Sequence, residues 1–306
     1  MRVLILGSNG LVGSSLKNTL SKNTKVTELI CSTRKDTNLF DFKETKKLIE
    51  KSCPDVLINA AAKVGGIYAN NSKRTEFILE NLKINVNILE ASIPFPNMFI
   101  INLGSSCIYP LDAQNPIKES SIMTGKLEPT NSPYAMAKLT AIEIGNSLSD
   151  QYGHKVLNLM PTNLYGPNDR FTDKDSHVIP GLILRMHNAM KEDLKEFKIW
   201  GTGKPMREFL FIDDLASAVE FLILNKPNNS LLNVGSGIEI SIYELAKKIK
   251  KIIGFQGELI FDSSMPDGNP RKLLDSSEIN KMGWSPKVDI DNGLETTYNW
   301  YKENYN

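Results

Sequence analysis

The chain has 306 residues, 41% hydrophobic and 23% charged, with 36 Lys and Arg against 35 Asp and Glu for a formal net charge of +1. That length buries a large core in one large domain or two unequal ones, and the near-neutral balance argues against nucleic-acid or membrane-surface binding, so any basic site is local. Cys31, Cys53 and Cys107 are too few and too far apart for a disulfide framework or a zinc site; no metal is expected, a reducing cytoplasm suits them, and no apolar run is long enough for a signal h-region or a membrane span.

Arg2-Val-Leu-Ile-Leu6 reads as a short buried strand, followed at once by Gly7-Ser-Asn-Gly10-Leu-Val-Gly13 and a helical pattern through Leu16 and Leu20. Glycines let a backbone turn tightly and approach a pyrophosphate, whose charge then rests against the amides and positive dipole end of the following helix. The spacing differs from the Gly-x-Gly-x-x-Gly of many dehydrogenases and also describes a plain strand-to-helix turn; its place after an initial strand favours the dinucleotide. The next strand is predicted over 26–30. No acidic residue follows it to meet a ribose 2′-hydroxyl. Cys31-Ser-Thr-Arg34-Lys35 follows instead, and the Arg34 guanidinium suits the extra phosphate of NADP, so NADP (NADPH) is preferred. The competing reading is a solvated basic turn neutralised by Asp36.

Strands and helices then alternate: a strand at Val56–Asn59, a helix over 81–92, a strand over 98–103, a helix from about Pro133 and a strand over 156–160. This alternation predicts the α/β class, a Rossmann-type doubly wound parallel sheet with function at the carboxyl ends of its strands. Asn59-Ala-Ala-Ala62, Gly104-Ser105-Ser106-Cys107 and Pro161-Thr-Asn163-Leu-Tyr-Gly166 fall there. Asp213-Asp214 is expected to cap a helix over 215–224. Tyr134 and Lys138, four apart on one helical face, would place an ammonium beside a phenol and lower its pKa toward use as an acid or base. The same spacing also describes an ordinary exposed helix pair.

Gly7-x-x-Gly10-x-x-Gly13, Ser105 and Tyr134-x-x-x-Lys138 together resemble the extended short-chain dehydrogenase/reductase family, whose members mostly act on nucleotide sugars. Further strings spread along the chain are similar to the GDP-L-fucose synthases of that family: Ala60-Ala-Ala-Lys-Val-Gly-Gly-Ile67, Gly104-Ser-Ser-Cys-Ile-Tyr-Pro110, Leu127-Glu-Pro-Thr-Asn131, Met160-Pro-Thr-Asn-Leu-Tyr-Gly-Pro167, Ser176-His-Val-Ile-Pro180 and Pro266-Asp-Gly-Asn-Pro-Arg-Lys-Leu-Leu-Asp275. The resemblance implies inversion of C3 and C5 of a GDP-4-keto-6-deoxy sugar, then NADPH reduction of the C4 ketone. Cys107 would be the base, His177 the acid on the opposite face, Ser105 and Tyr134 the stabilisers of the developing oxyanion, and Lys138 the partner of Tyr134 and of the nicotinamide ribose.

The same resemblance assigns the cofactor to Gly7, Ser8, Asn9, Gly10, Leu11, Val12, Gly13, Arg34, Leu103, Gly104, Lys138, Pro161, Thr162, Asn163, Leu164 and His177. It assigns the substrate to Asn163, Arg185, Trp200, Arg207, Asp267, Arg271 and Lys272. It implies an NADP-binding domain over 1–165 plus about 208–237, a smaller C-terminal nucleotide-sugar lobe over 166–207 and 238–306, and a homodimer that uses the tyrosine helix. Asn9 departs from the arginine often found in the family's glycine turn, which shifts the cofactor preference onto Arg34. A C4 reductase of a heptose or dideoxy GDP-4-keto sugar is the alternative. Dehydratases of the superfamily carry Asp-Glu where this chain has Ser106-Cys107, and a non-catalytic dinucleotide sensor has no use for Tyr134 with Lys138.

Overall fold

Segments that read as unbroken apolar runs become strands covered on both faces. The computed structural model describes residues 1–173, 175–264 and 267–305. Its strands in order are β1 (Arg2–Leu6), β2 (Glu28–Ser32), β3 (Val56–Asn59), β4 (Phe99–Leu103), β5 (Lys155–Pro161), β6 (Asn163–Tyr165), β7 (Glu196–Trp200), β8 (Met206–Phe211), β9 (Leu231–Val234), β10 (Glu239–Ser241), β11 (Glu258–Asp262) and β12 (Arg271–Lys272). The helices are α1 (Leu11–Leu20), α2 (Phe42–Ser52), α3 (Ile67–Ser72), α4 (Arg74–Ser92), α5 (Ser132–Tyr152), α6 (Val178–Lys191), α7 (Ile212–Asn225), α8 (Ile242–Ile253), α9 (Ser277–Lys281) and α10 (Ile290–Tyr305). Among the described residues no helix is long and apolar enough to cross a membrane.

Six strands make one parallel sheet in the order β2-β1-β3-β4-β5-β9. Alternation along β1 sends Val3 and Ile5 toward α1 and α7, and Leu4 and Leu6 toward α2, α4 and α5. All four are fully buried, and each stabilises the fold by roughly 1.5–3 kcal/mol. The chain leaves β1 in one direction to form β2 and returns on its other side to form β3, which opens a crevice at the carboxyl ends of β1 and β3.

The smaller sheet runs β10-β8-β12 with β6 also on β8, and β7 pairs with β11. It packs against α6, α8 and α10 around Phe209, Phe211, Ile183, Leu245 and Tyr298. Residues 163–165 and 209–211 pair with each other within the second sheet. Along β8, Leu210 joins the core of the large sheet while Phe209 and Phe211 join that of the small one.

Three expectations shift. β2 begins at Glu28, not Val26, because Thr27 N–H bonds Met1 O at 2.9 Å and pairing starts only after it. α4 begins at Arg74, seven residues before the expected start. Asp213 and Asp214 do not cap α7, whose N-cap is Phe211. Asp214 instead accepts from Lys287 N–H and Val288 N–H, each at 2.9 Å, and Asp213 accepts from Ser15 Oγ at 2.6 Å.

Three buried asparagines cross the large sheet toward its carboxyl end, joined by a fourth on α4. Asn59 Nδ2 donates to Asn102 Oδ1 (2.9 Å) and to Asn85 Oδ1 of α4 (3.0 Å), Asn102 Nδ2 to Asn158 Oδ1 (3.1 Å), and Asn158 Nδ2 to Ser230 O (3.1 Å). Asn59, Asn102 and Asn158 are direct neighbours on β3, β4 and β5, so the amides form one ladder with its polar groups paired.

Candidate active site

The glycine turn sits in the crevice between β1 and β3. Gly7 has φ +79°, and a Cβ there would come within 2.8 Å of the Ala61 backbone; Ala60-Ala-Ala62 is thus the wall against which the turn closes. A Cβ on Gly13 would meet Gly7 O at 2.2 Å, so helix and turn touch only because no side chain intervenes. Ser8 N–H (3.1 Å) and Oγ (3.2 Å) both donate to Ser32 O, which makes Ser8 a brace for the turn. No side chain caps α1, whose N-cap is Gly10; the amides of its first turn stay open to an anion. Arg34 is exposed, with its guanidinium 5.6 Å from the Phe40 ring. Asp36 is held by Thr33, through the backbone N–H at 2.9 Å and Oγ1 at 2.6 Å, rather than folded onto Arg34.

The carboxyl end of β4 turns into Gly104 and a short 3-10 turn at Ser106–Ile108. Ser105 caps that turn, its Oγ accepting from Cys107 N–H at 3.3 Å. Cys107 is 7% exposed, and burial pushes its thiol pKa up, opposed by the nearby charges of Lys272 and Lys138 and by a hydrogen bond from Ser105. α5 supplies the pair expected from sequence. Its start is held by the Glu128 carboxylate, which accepts from Thr130 N–H and Asn131 N–H at 3.1 Å, and by Arg74, which donates to Pro129 O at 2.8 Å. The Leu127–Asn131 string is thus the frame that presents Tyr134.

Tyr134 and Lys138 do share a face, the Lys138 Nζ lying 5.7 Å from the tyrosine ring centroid. Their electrostatics differ from expectation. Lys138 Nζ donates to Leu103 O at 2.7 Å and is buried, which lowers its pKa to about 8. Burial, followed by the neighbouring Cys107, raises the Tyr134 phenol instead of lowering it. Tyr134 is therefore held as a neutral O–H, the form that donates. Phe77, 2% exposed, meets it edge-on at 6.2 Å.

Arg207 and Lys272 are register neighbours on the parallel strands β8 and β12, so both side chains leave the same face. Each pKa is lowered first by burial, and Lys272 further by Arg207: two cations are kept together, an arrangement suited to an anion with more than one charge. Arg271, adjacent on β12, points the other way and pairs with Glu239 at 2.6 Å. The Asp267 carboxylate accepts from Thr202 N–H at 2.6 Å and Oγ1 at 2.8 Å, while its carbonyl meets Arg207 Nη2 at 3.4 Å. Pro266, which opens the Asp267–Asp275 string, lies outside the described residues. Arg185 lies over Trp200 at 5.4 Å, and the indole is 46% exposed. Asn163 is exposed, its Nδ2 donating to Glu208 O at 2.8 Å, and Thr162 Oγ1 donates to the same carbonyl at 3.2 Å.

His177 is exposed at the N-cap of α6. The loop before it reaches the rest of the site through Gly66 N–H, which donates to Asp175 O at 3.0 Å, and through Lys73, paired with Asp175 at 2.7 Å.

Glu208 is missing from the sequence-based set. It is fully buried, its carboxylate accepting from Gly237 N–H at 2.7 Å and Leu274 N–H at 3.0 Å, with burial raising its pKa. It ties the strand that carries Arg207 to the segment that carries Lys272, and the signal for it was a carboxylate inside the apolar run Glu208-Phe-Leu-Phe211. Cys31 and Cys53 lie outside this cluster, half-buried and exposed.

Residues 3–235 match the family model described as NAD dependent epimerase/dehydratase family. The chain is 45% identical over 304 residues to the probable GDP-L-fucose synthase 1 of Oryza sativa subsp. japonica, covering 99% of this chain and 92% of that protein. It is 42% identical over 312 residues to the GDP-L-fucose synthase of Escherichia coli (strain K12), covering 99% and 97%. A solved GDP-mannoheptose C4 reductase of Campylobacter jejuni with NADP bound superimposes with a TM-score of 0.87 at 31% identity, covering 98% of each chain.

Proposed function

Because the chain belongs to the NAD dependent epimerase/dehydratase family, and within it to the GDP-L-fucose synthases, we propose that it is an NADPH-dependent 3,5-epimerase and 4-reductase of a GDP-4-keto-6-deoxy sugar. The observation that carries this reading is the shared neighbourhood of buried Cys107 and Lys138 with half-buried Tyr134 and Lys272, with Arg207 beside Lys272 on the next strand.

The cradle fits a dinucleotide, since Gly7 and Gly13 let the turn close against Ala61 and the start of α1, whose first-turn amides no side chain caps. The Gly7–Gly13 turn and the open start of α1 would hold the pyrophosphate, Arg34 the additional phosphate, and Lys138 the ribose, with Leu103, Gly104 and residues 161–164 as the wall. When bound, the cofactor supplies a hydride to C4. The chain's own residues do the rest. Cys107, as thiolate, takes a proton alpha to the ketone; the electron pair moves onto the C4 oxygen, where the Ser105 and Tyr134 hydroxyls stabilise it. The His177 imidazolium then returns a proton to the opposite face of the same carbon and is left neutral, which inverts that centre. In the reduction Tyr134 O–H delivers its proton to the C4 oxygen. Arg207 and Lys272 hold the GDP pyrophosphate, and Trp200 beside Arg185 borders the sugar side.

NMR of the product formed from GDP-4-keto-6-deoxymannose and NADPH in D₂O tests the reading. GDP-L-fucose deuterated at C3 and C5 is expected, with wash-in slowed about a hundredfold by Cys107→Ser. Product reduced at C4 with no deuterium at C3 or C5 would replace it by the C4 reductase reading. The proposed compartment is the cytoplasm, in keeping with three free cysteines. A homodimer through α4 and α5 is proposed on the apolar side chains exposed there, Leu79, Val86 and Met136; a single species of monomer mass in light scattering at micromolar protein would refute it.

A further inference from the structure

Arg34 leaves the sheet beside the glycine turn and there meets an aromatic ring instead of a carboxylate. The carbonyl of Ser32, the last residue of β2, accepts from Gly7 N–H at 2.9 Å and from Ser8 N–H at 3.1 Å, so the segment that carries Arg34 starts against the turn itself. Thr33 folds that segment into a tight bend, its carbonyl accepting from Asp36 N–H at 3.0 Å and Thr37 N–H at 3.1 Å. Arg34 lies in the bend and is exposed, with its guanidinium carbon 5.6 Å from the centroid of the Phe40 ring. That is within reach of a cation–π contact, in which the negative face of the ring attracts the cation.

The carboxylates nearest to Arg34 in sequence are each engaged elsewhere. Asp36 accepts from Thr33 N–H and Oγ1, Asp41 caps α2 by accepting from Glu44 N–H at 2.9 Å, and Glu44 accepts from Asn38 N–H at 2.9 Å. The backbone under the ring is fixed as well. Phe40 N–H donates to Asn38 Oδ1 at 3.1 Å, Asp41 N–H to Asn38 O at 2.9 Å, and Leu39 O accepts from Asn87 Nδ2 of α4 at 2.9 Å. Phe40 is nevertheless 36% exposed, whereas its neighbour Leu39 packs against the core. A ring so exposed adds little to the core, and the group it faces is a guanidinium.

We propose that Phe40 is a specificity-determining residue for the cofactor: its ring holds the Arg34 guanidinium in place without neutralising it, so that the N–H groups stay available for the 2′-phosphate that distinguishes NADPH from NADH. This rests on the reading above that Arg34 meets that phosphate. A carboxylate in the place of the ring would position the guanidinium equally well, but it would cancel the charge and occupy the donors. A ring orders the side chain through its face and leaves the donors free. A guanidinium ordered in advance loses less freedom when the phosphate arrives, so the gain falls on NADPH alone.

Fluorescence titration of the whole protein with NADPH and with NADH, without sugar, tests this as a double-mutant cycle. Phe40→Ala should weaken NADPH about two- to fivefold and leave NADH unchanged. Phe40→Tyr, which keeps the ring, should match the wild type, and Phe40→Leu, which keeps apolar bulk without a ring face, should behave like Phe40→Ala. In the Arg34→Ala background, Phe40→Ala should cause no further loss. Equal losses of NADPH and NADH in Phe40→Ala would overturn the proposal, because the ring would then serve the part of the cofactor that the two share. Wild-type NADPH affinity in Phe40→Leu, or losses that add in the double variant, would overturn it too. If Arg34→Ala weakens NADPH selectively while Phe40→Ala changes neither cofactor, the proposal alone fails; if Arg34→Ala weakens both cofactors equally, the phosphate reading fails and the proposal with it.

Discussion

The two ends of the cleft are built from different materials. At the β1 end the recognition surface is backbone, shaped by the absence of side chains at Gly7 and Gly13. At the β4 and β12 end it is side chains brought from positions 105, 107, 134, 138, 207 and 272, Cys107 and Lys138 buried and the others half-buried. The first kind of surface is local and rigid, and its chemistry is that of any strand-turn-helix anion site. The second owes its properties to burial: it turns Tyr134 into a firmly protonated donor and Lys138 into a cation that loses its proton near neutral pH. On the proposed reading, binding is written in the main chain and reactivity in the environment of side chains.

The sharpest break between the ends is Tyr134→Phe. It should lower the rate of reduction by about 10²–10⁴ while leaving NADPH affinity unchanged in a fluorescence titration; full residual reduction would show that the proton comes from elsewhere. Gly13→Ala acts on the opposite end. The new methyl is forced onto Gly7 O, so thermal denaturation should report a loss of about 1–3 kcal/mol and NADPH binding should weaken with it, and normal stability and affinity would show that the turn has slack. Next comes pH. Lys138 is needed as a cation, so kcat/KM should fall as pH rises through about 8; Lys138→Arg should move that limb out of range, because a guanidinium stays charged, and an unshifted limb would assign it to another group. The smallest effect is Arg34→Ala, which should weaken NADPH about tenfold and NADH hardly at all; equal losses would reject the 2′-phosphate contact.

The backbone half was legible from residues 2–20 alone, since strand, glycine spacing and helix are all local. The side-chain half was not. Spacing placed Tyr134 and Lys138 on one face but pointed the phenol's pKa the wrong way, because burial is a property of the fold rather than of an i,i+4 pair. Arg271 and Lys272 are indistinguishable in sequence, and only the pairing of β12 with β8 decides which of them faces Arg207. Glu208 was missed for the same reason: a carboxylate looks exposed until the elements around it are assembled. The start of α4 was misplaced because its first turn is polar on the outside while Phe77 is buried.

The row of asparagine amides across β3, β4 and β5 acts as a vernier for the cleft. Each of these strands delivers a different reactive stretch from its tip, at 60–62, 104–107 and 161–163. A slip of one residue between any two would swing an amide to the opposite side of the pleat and strand it among hydrocarbon. The three tips are therefore levelled against one another by polar contacts within the fold itself, and Asn102, the middle mark on that scale, governs the alignment of the strand tips several residues away.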